Sequence, residues 1–117
     1  MSITKEKKSN ENKFEYESWK KKKLNDKNGY FIIFQDFKKK NLLKKVSGSA
    51  LKLYIYLGLH TKNYSGECNV TINTMAKYFN KDERTISYWI KELEDLGLIE
   101  RIQFKIKEPA HTYLKPY

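Results

Sequence analysis

The stretch Asp82-Glu83-Arg84-Thr85-Ile86-Ser87-Tyr88-Trp89-Ile90-Lys91 gathers a guanidinium, two hydroxyls, a phenol and an ammonium around Ile86 and Ile90. In a helix, Ile86 and Ile90 share one side, and Arg84, Thr85, Ser87, Tyr88 and Lys91 are left for the other. Arg84 carries a forked donor that matches guanine O6 and N7 bidentately. Thr85 and Ser87 can donate to phosphate or base, and Tyr88 can meet a phosphate or a thymine methyl. Lys91, one turn on, suits a phosphate. Upstream, Asn73 and Thr74 open a second apolar-periodic segment, where free backbone amides favour a phosphate. Lys77 and Lys81 add charge nearby. Downstream, Lys105 and Lys107 sit beside a turn signal and are expected near the tip of a hairpin that can enter a minor groove. No catalytic set accompanies these residues: Gly48 is too isolated for a phosphate loop, and no paired Cys or His cluster or nucleophile elbow occurs. His60 and His111 lack ligand spacing. The chain is therefore read as a non-enzyme, with no metal, no cofactor and no small-molecule ligand.

Such side chains work only if regular elements aim them. Thr71 precedes Ile72, Met75, Ala76 and Phe79 at helical spacing, which predicts a short helix capped by Thr71. Asn80-Lys81 makes a turn. Asp82 caps a second helix, with Glu83 in its first turn, and Ile86, Ile90, Leu93 and then Leu96 or Gly97 form its core face. Gly97 stops it. The period then changes to two over 98–105, which predicts a strand. Residues 107–110, with Pro109, turn the chain, and 112–114 return as the antiparallel partner in a two-stranded wing.

Ahead of this unit, Ser47 caps a helix containing Ala50, Leu51, Leu53, Tyr54, Ile55, Leu57 and Leu59. It ends near His60, before turn chemistry at 63–66. Residues 68–70 read as a short extended piece, 37–46 as a short helix or turn, and 29–34 as a short buried extended segment. Most Tyr and Phe residues are assigned to the core. Trp89 is assigned to packing against the wing or a partner copy, and Glu92, Glu94 and Asp95 to a solvated face.

Length and charge frame these expectations. The 117 residues fit one domain and a modest core. With 24 Lys and Arg against 14 Asp and Glu, the net charge is +10, which attracts polyanions. Residues 1–45 hold 14 lysines and six acids, whereas 46–117 hold ten basic and eight acidic residues. Residues 1–28, with Phe14, Tyr16, Trp19 and the lysine run 20–23, are expected to form a flexible basic arm without its own core. A short helix at 14–24 is the only element expected there. The arm is read either as a DNA contact or as an aid to solubility. Cys68 stands alone, so no internal disulfide forms, and a small buried role is expected. Residues 1–12 lack the apolar stretch of a secretory signal, and no run is long enough to span a bilayer. A cytoplasmic protein without membrane contact is expected.

The pieces "YFIIF" (30–34), "SGSALKLYIYL" (47–57), "SGECNVTINTMAKYF" (65–79) and "DERTISYWIKELEDLGLIER" (82–101) together resemble the winged helix-turn-helix domains of plasmid and phage replication initiators and related small regulators. The resemblance implies a mainly α fold with a small β component (α+β), with the domain over 29–117, the helix-turn-helix over 71–96 and the wing over 98–115. Double-stranded DNA is the implied partner and a homodimer the implied assembly, with the arm, 30–34 and 114–117 as candidate self-contacts. Such domains often begin the second helix with Ser-Arg-Arg-Thr, whereas here Glu83 replaces a cation. Three roles remain open: a sequence-specific transcriptional regulator of a bacterial plasmid, phage or other mobile element; a replication-initiation or partition protein recognising origin or centromere-like repeats; and a winged-helix module that binds protein.

Overall fold

The structure is a computed structural model that describes residues 2–62 and 64–117. Met1 and Asn63 lie outside the described residues, so the turn expected at 63–66 is seen only from Tyr64 onward. There, Ser65 N–H and Gly66 N–H both donate to the Lys62 carbonyl, at 3.2 and 2.8 Å. The element order is α1 (Ser2–Asn25), α2 (Asp36–Lys39), α3 (Leu42–Lys45), α4 (Gly48–Leu59), β1 (Glu67–Cys68), α5 (Ile72–Phe79), α6 (Glu83–Asp95), β2 (Ile99–Ile102) and β3 (His111–Leu114). The chain divides into two compact units, Met1–Tyr30 and Phe31–Tyr117.

In the first unit, α1 runs for 24 residues, well beyond the short helix expected at 14–24. Lys, Glu and other straight-chain residues are good helix formers, and their charge keeps a helix soluble without a core. The described side chains of this unit are exposed from Thr4 to Tyr30.

In the second unit, three capped helices carry the core. Ser47, Thr71 and Asp82 each accept a hydrogen bond from the backbone amide three residues on, at the starts of α4, α5 and α6. These are the caps expected from sequence. Leu53, Tyr54 and Leu57 of α4, Met75 and Ala76 of α5, and Ile86, Ile90 and Leu93 of α6 are buried together with Cys68, Leu98 and Ile99. The α5–α6 turn is made by Asn80 in the left-handed region (φ 54°). Lys81 N–H reaches the Ala76 carbonyl and Asn80 N–H the Lys77 carbonyl, so two orphan carbonyls are satisfied. Gly97 (φ 73°) ends α6 in the same way, with Leu98 N–H donating to Leu93 and Gly97 N–H to Glu94.

Two contacts join these helices. An aromatic chain runs from Tyr56 of α4 to Phe79 (5.4 Å), and from Phe79 to Trp89 of α6 (5.6 Å, edge to face). Trp89 therefore meets Phe79 of α5, where packing against the wing or a partner copy was expected. Glu92, expected to be solvated, instead receives the Ser47 amide (2.7 Å) and the Ser47 hydroxyl (2.9 Å), which pins the start of α4 to α6.

The sheet has three strands, in the order β1-β3-β2, where a two-stranded wing was expected. β1 pairs antiparallel with β3 through Glu67↔Tyr113 and Cys68↔Thr112. β2 pairs with the other edge of β3, from Ile99↔Leu114 to Ile102↔His111. Glu67 reinforces the first pairing by accepting from the Tyr113 hydroxyl (3.0 Å), and His111 lies 3.4 Å away. The Tyr113 hydrogen bond, with smaller contributions from His111 and Lys62, holds the Glu67 carboxyl below its ordinary value. The strand expected over 98–105 stops at Ile102 because the same register would place Phe104 opposite Pro109, which has no N–H to offer.

The segment 29–34, expected to be a short buried extended piece, joins no strand and is not buried. Only Phe31 is partly covered, while Ile32, Ile33 and Phe34 are exposed. It is anchored through aromatic rings. Phe31 meets Tyr54 edge to face at 5.5 Å, its ring occupies the space a Cβ on Gly58 would need, and Phe34 N–H donates to the Tyr117 hydroxyl (2.8 Å). The Tyr and Phe residues are thus split between core and surface: Tyr54 and Phe37 are buried, whereas Tyr30, Phe34, Tyr64, Tyr78, Tyr88 and Phe104 are exposed.

The Ser47–Glu92 clamp predicts a coupling. Glu92→Ala should destabilise the fold by about 1–2 kcal/mol, the range for a charge-assisted pair that keeps some solvent access. In urea denaturation, Ser47→Ala combined with Glu92→Ala should cost less than the sum of the single changes. Strict additivity would mean that the clamp carries no energy.

Candidate nucleic-acid interface

The buried face of α6 fixes its rotation. With Ile86, Ile90 and Leu93 in the core, Arg84, Ser87, Tyr88 and Lys91 are all exposed, and Tyr88 retains 58% of its surface. Arg84 and Tyr88, one turn apart, form a pair. Arg84 Nε donates to the Tyr88 hydroxyl at 3.1 Å, and the guanidinium carbon lies 5.7 Å from the ring centroid. The phenol thereby limits the rotamers of the arginine and holds its fork over the outer surface. Arg101, the other arginine in the chain, is half-buried on β2, where burial pushes its guanidinium down in pKa and Glu94 partly compensates.

Thr85 behaves differently from its neighbours. It is half-buried, and its amide donates to Asp82 Oδ1 at 2.7 Å. Thr85, through its hydroxyl first and its amide second, holds the Asp82 carboxyl below the usual range; Arg84 and Lys81 add to the effect. Asp82 and Thr85 thus set the entry of α6, while Glu83 and Arg84 remain outside.

On α5, Asn73 and Thr74 are exposed at the first turn, and the Thr74 hydroxyl lies 2.9 Å from that of the Thr71 cap. Lys77 and Lys81 are exposed at the far end and in the turn. Lys105 and Lys107 lie in the loop 103–110 between β2 and β3, and both are exposed. That loop is closed by Gln103, whose Nε2 donates to the Ile106 carbonyl (2.7 Å) and the Glu108 carbonyl (3.0 Å). Lys105 also pairs with Glu108 at 3.7 Å. Sequence reasoning missed what this closure does to the apolar residues of the loop. Ile106, between the two lysines, is 94% exposed, and Phe104 is also exposed. An unpaired isoleucine between two lysines in a turn was a visible signal. Among the described residues, no three His, Cys, Asp or Glu side chains converge as a metal site would require, and no helix is long and apolar enough to cross a membrane.

Comparison with known proteins agrees with this geometry. Residues 45–99 match the model of a family described as a helix-turn-helix domain. The matched span includes α4, α5, the Asn80 turn and α6. The fold is that of a winged helix-turn-helix, mainly α with a small antiparallel sheet. Among solved structures it is similar to one described as the structure of a Rep-DNA complex, with a TM-score of 0.55 and 18% sequence identity over 80% of each chain. No curated protein matches the sequence.

The domain's helix entry should be sensitive to acid. Asp82, with its carboxyl lowered in the folded state, contributes stability that is present above its unfolded value near ~3.9 and lost as the pH falls through the folded value. Asp82→Ala should be less stable at neutral pH and should lose less on acidification, as measured by thermal unfolding from pH ~6 downward. An acid limb parallel to that of the native chain would show that the cap is not titrating.

Proposed function

We propose that this chain binds double-stranded DNA sequence-specifically, with α6 lying in the major groove. One observation carries the reading: the side of α6 opposite its buried isoleucines is bare and presents Arg84, Ser87, Tyr88 and Lys91. Arg84 reads a guanine, steadied by Tyr88, and Ser87 and Tyr88 reach a base edge or a phosphate. Lys91, Lys77 and Lys81 meet phosphates, and Asn73 and Thr74 present the start of α5 to the backbone. Thr85 contributes mainly through the cap it forms with Asp82. Lys105 and Lys107, with Ile106 between them, enter the neighbouring minor groove as the wing. The protein acts as a binder and not as an enzyme.

The same geometry serves a transcriptional regulator of a mobile element and a protein that recognises origin or partition repeats. The fold shared with a protein solved as a Rep-DNA complex favours the second role. Footprinting on the host element separates the two, because a single protected operator indicates regulation and a protected array indicates origin or centromere-like repeats. A homodimer suits either role. The exposed Ile32, Ile33 and Phe34, tied to the C-terminus through Tyr117, supply an apolar surface for self-association. Half-sites would then lie about 34 Å apart or a multiple of that distance.

Arg84→Ala should weaken cognate binding by about 1–3 kcal/mol and relax preference at one base position, as read by selection of bound duplexes from a random pool. With about five phosphates contacted, log affinity should fall against log salt with a slope of about −4 to −5. Unchanged affinity in the Arg84 variant would remove α6 as the reading helix, and absence of duplex binding at low salt would favour a protein-binding module instead. In sedimentation experiments, Ile33→Asp should shift the chain toward monomer; a dimer that survives the change lies elsewhere.

A further inference from the structure

The first unit contains a cleft that the helix-turn-helix does not use. α1 ends at Asn25 with Lys27 in the left-handed region (φ 56°), Asn28 N–H donating to the Lys23 carbonyl and Lys27 N–H to Leu24. This closure turns Asn28-Gly29-Tyr30 back beside the helix. The result is a cleft of about 490 Å³ whose lining includes Tyr16, Trp19, Lys20, Lys23, Leu24 and Tyr30. Positions 16, 19, 20, 23 and 24 fall on one helical stripe, so the rings and ammonium groups face the same way. Tyr16 and Trp19 lie 5.7 Å apart, and Tyr16, Trp19 and Tyr30 are each more than half exposed. No carboxylate lines the cleft, and neither Lys20 nor Lys23 forms an ion pair among the described residues.

Exposed ring faces beside unpaired cations ask for a ligand that is flat and apolar in one part and anionic in another. An acidic peptide would meet the lysines and leave the rings in water. A lipid surface needs a long apolar face, but Glu6, Glu11, Glu15 and Glu17 are spread along α1 and all are exposed. A duplex hides its base faces within the stack. A single strand offers unstacked bases for the rings and phosphates for the lysines. We propose that this cleft binds single-stranded DNA, with a base stacked on Trp19 and flanking phosphates held by Lys20 and Lys23. The choice of DNA over RNA rests on the duplex-binding reading of the helix-turn-helix; the stacking itself does not.

The test uses the full chain and fluorescently labelled oligothymidine at low salt. Anisotropy should show binding that Trp19→Ala weakens tenfold or more, about the effect of losing one base stack. Trp19 is exposed and outside the core, so the variant should keep the native thermal transition and its cognate duplex affinity. Arg84→Ala should do the reverse, losing duplex affinity and retaining the strand, which separates failure of this inference from failure of the duplex reading. In a Trp89→Phe background, the fluorescence of Trp19 should be quenched as oligothymidine saturates. Equal binding by the native chain and Trp19→Ala, or loss only in Lys20→Ala and Lys23→Ala, would overturn the stacking. Tighter binding of oligouridine would assign the cleft to RNA, and competition by phosphatidylserine vesicles would assign it to lipid; either result overturns the proposal.

Discussion

Burial of Ile86, Ile90 and Leu93 against Leu53, Leu57 and Met75 sets the rotation of α6 about its own axis. A helix has only one rotation that puts all three in the core, and that rotation leaves Arg84, Ser87, Tyr88 and Lys91 outside. The surrounding structure keeps this arrangement from slipping. The Asn80 turn fixes where α5 releases the chain, the Asp82 cap fixes where α6 begins, and the Phe79–Trp89 contact resists sliding between the two helices. The Ser47–Glu92 clamp ties the third helix to the same frame. A loosened α6 would cost little in buried area yet would blur the position of every outward side chain. Rigidity here matters more for what α6 presents than for total stability.

Local signals carried most of this unit in the sequence. Ser47, Thr71 and Asp82 announced the helix starts because capping is a contact within three residues, and the spacing of 72, 75, 76 and 79 announced the buried face of α5. The outward residues of α6 followed from the same periodicity, with Thr85 as the exception because its backbone amide lies within reach of the cap. What stayed hidden depended on distant partners. The pairing of Glu67 and Cys68 with β3 joins positions more than 40 residues apart, as does the Ser47–Glu92 contact. The docking of Phe31 over Gly58 and of Phe34 on Tyr117 was equally out of reach, so a β-branched and aromatic run read as a buried extended segment. Ile102 ended β2 early because of Pro109 across the ladder, a register effect that strand periodicity alone does not contain.

Arginine is scarce in this chain, and only one of the two is exposed. Against 22 lysines there are two arginines, and Arg101 is half-buried on β2. A lysine neutralises a phosphate but offers no planar fork, whereas an arginine can span two acceptors on one base. In the proposed reading of DNA, bidentate recognition of guanine by an arginine fork rests on Arg84, which the phenol of Tyr88 holds by a hydrogen bond. In the same proposed reading, the exposed lysines on α5, in the turn and in the wing loop add affinity that is diffuse and weakened by salt. Under the proposed function, such a division suits repeated or paired sites, because a single strong base contact per domain gives modest discrimination and a second copy at fixed spacing multiplies it.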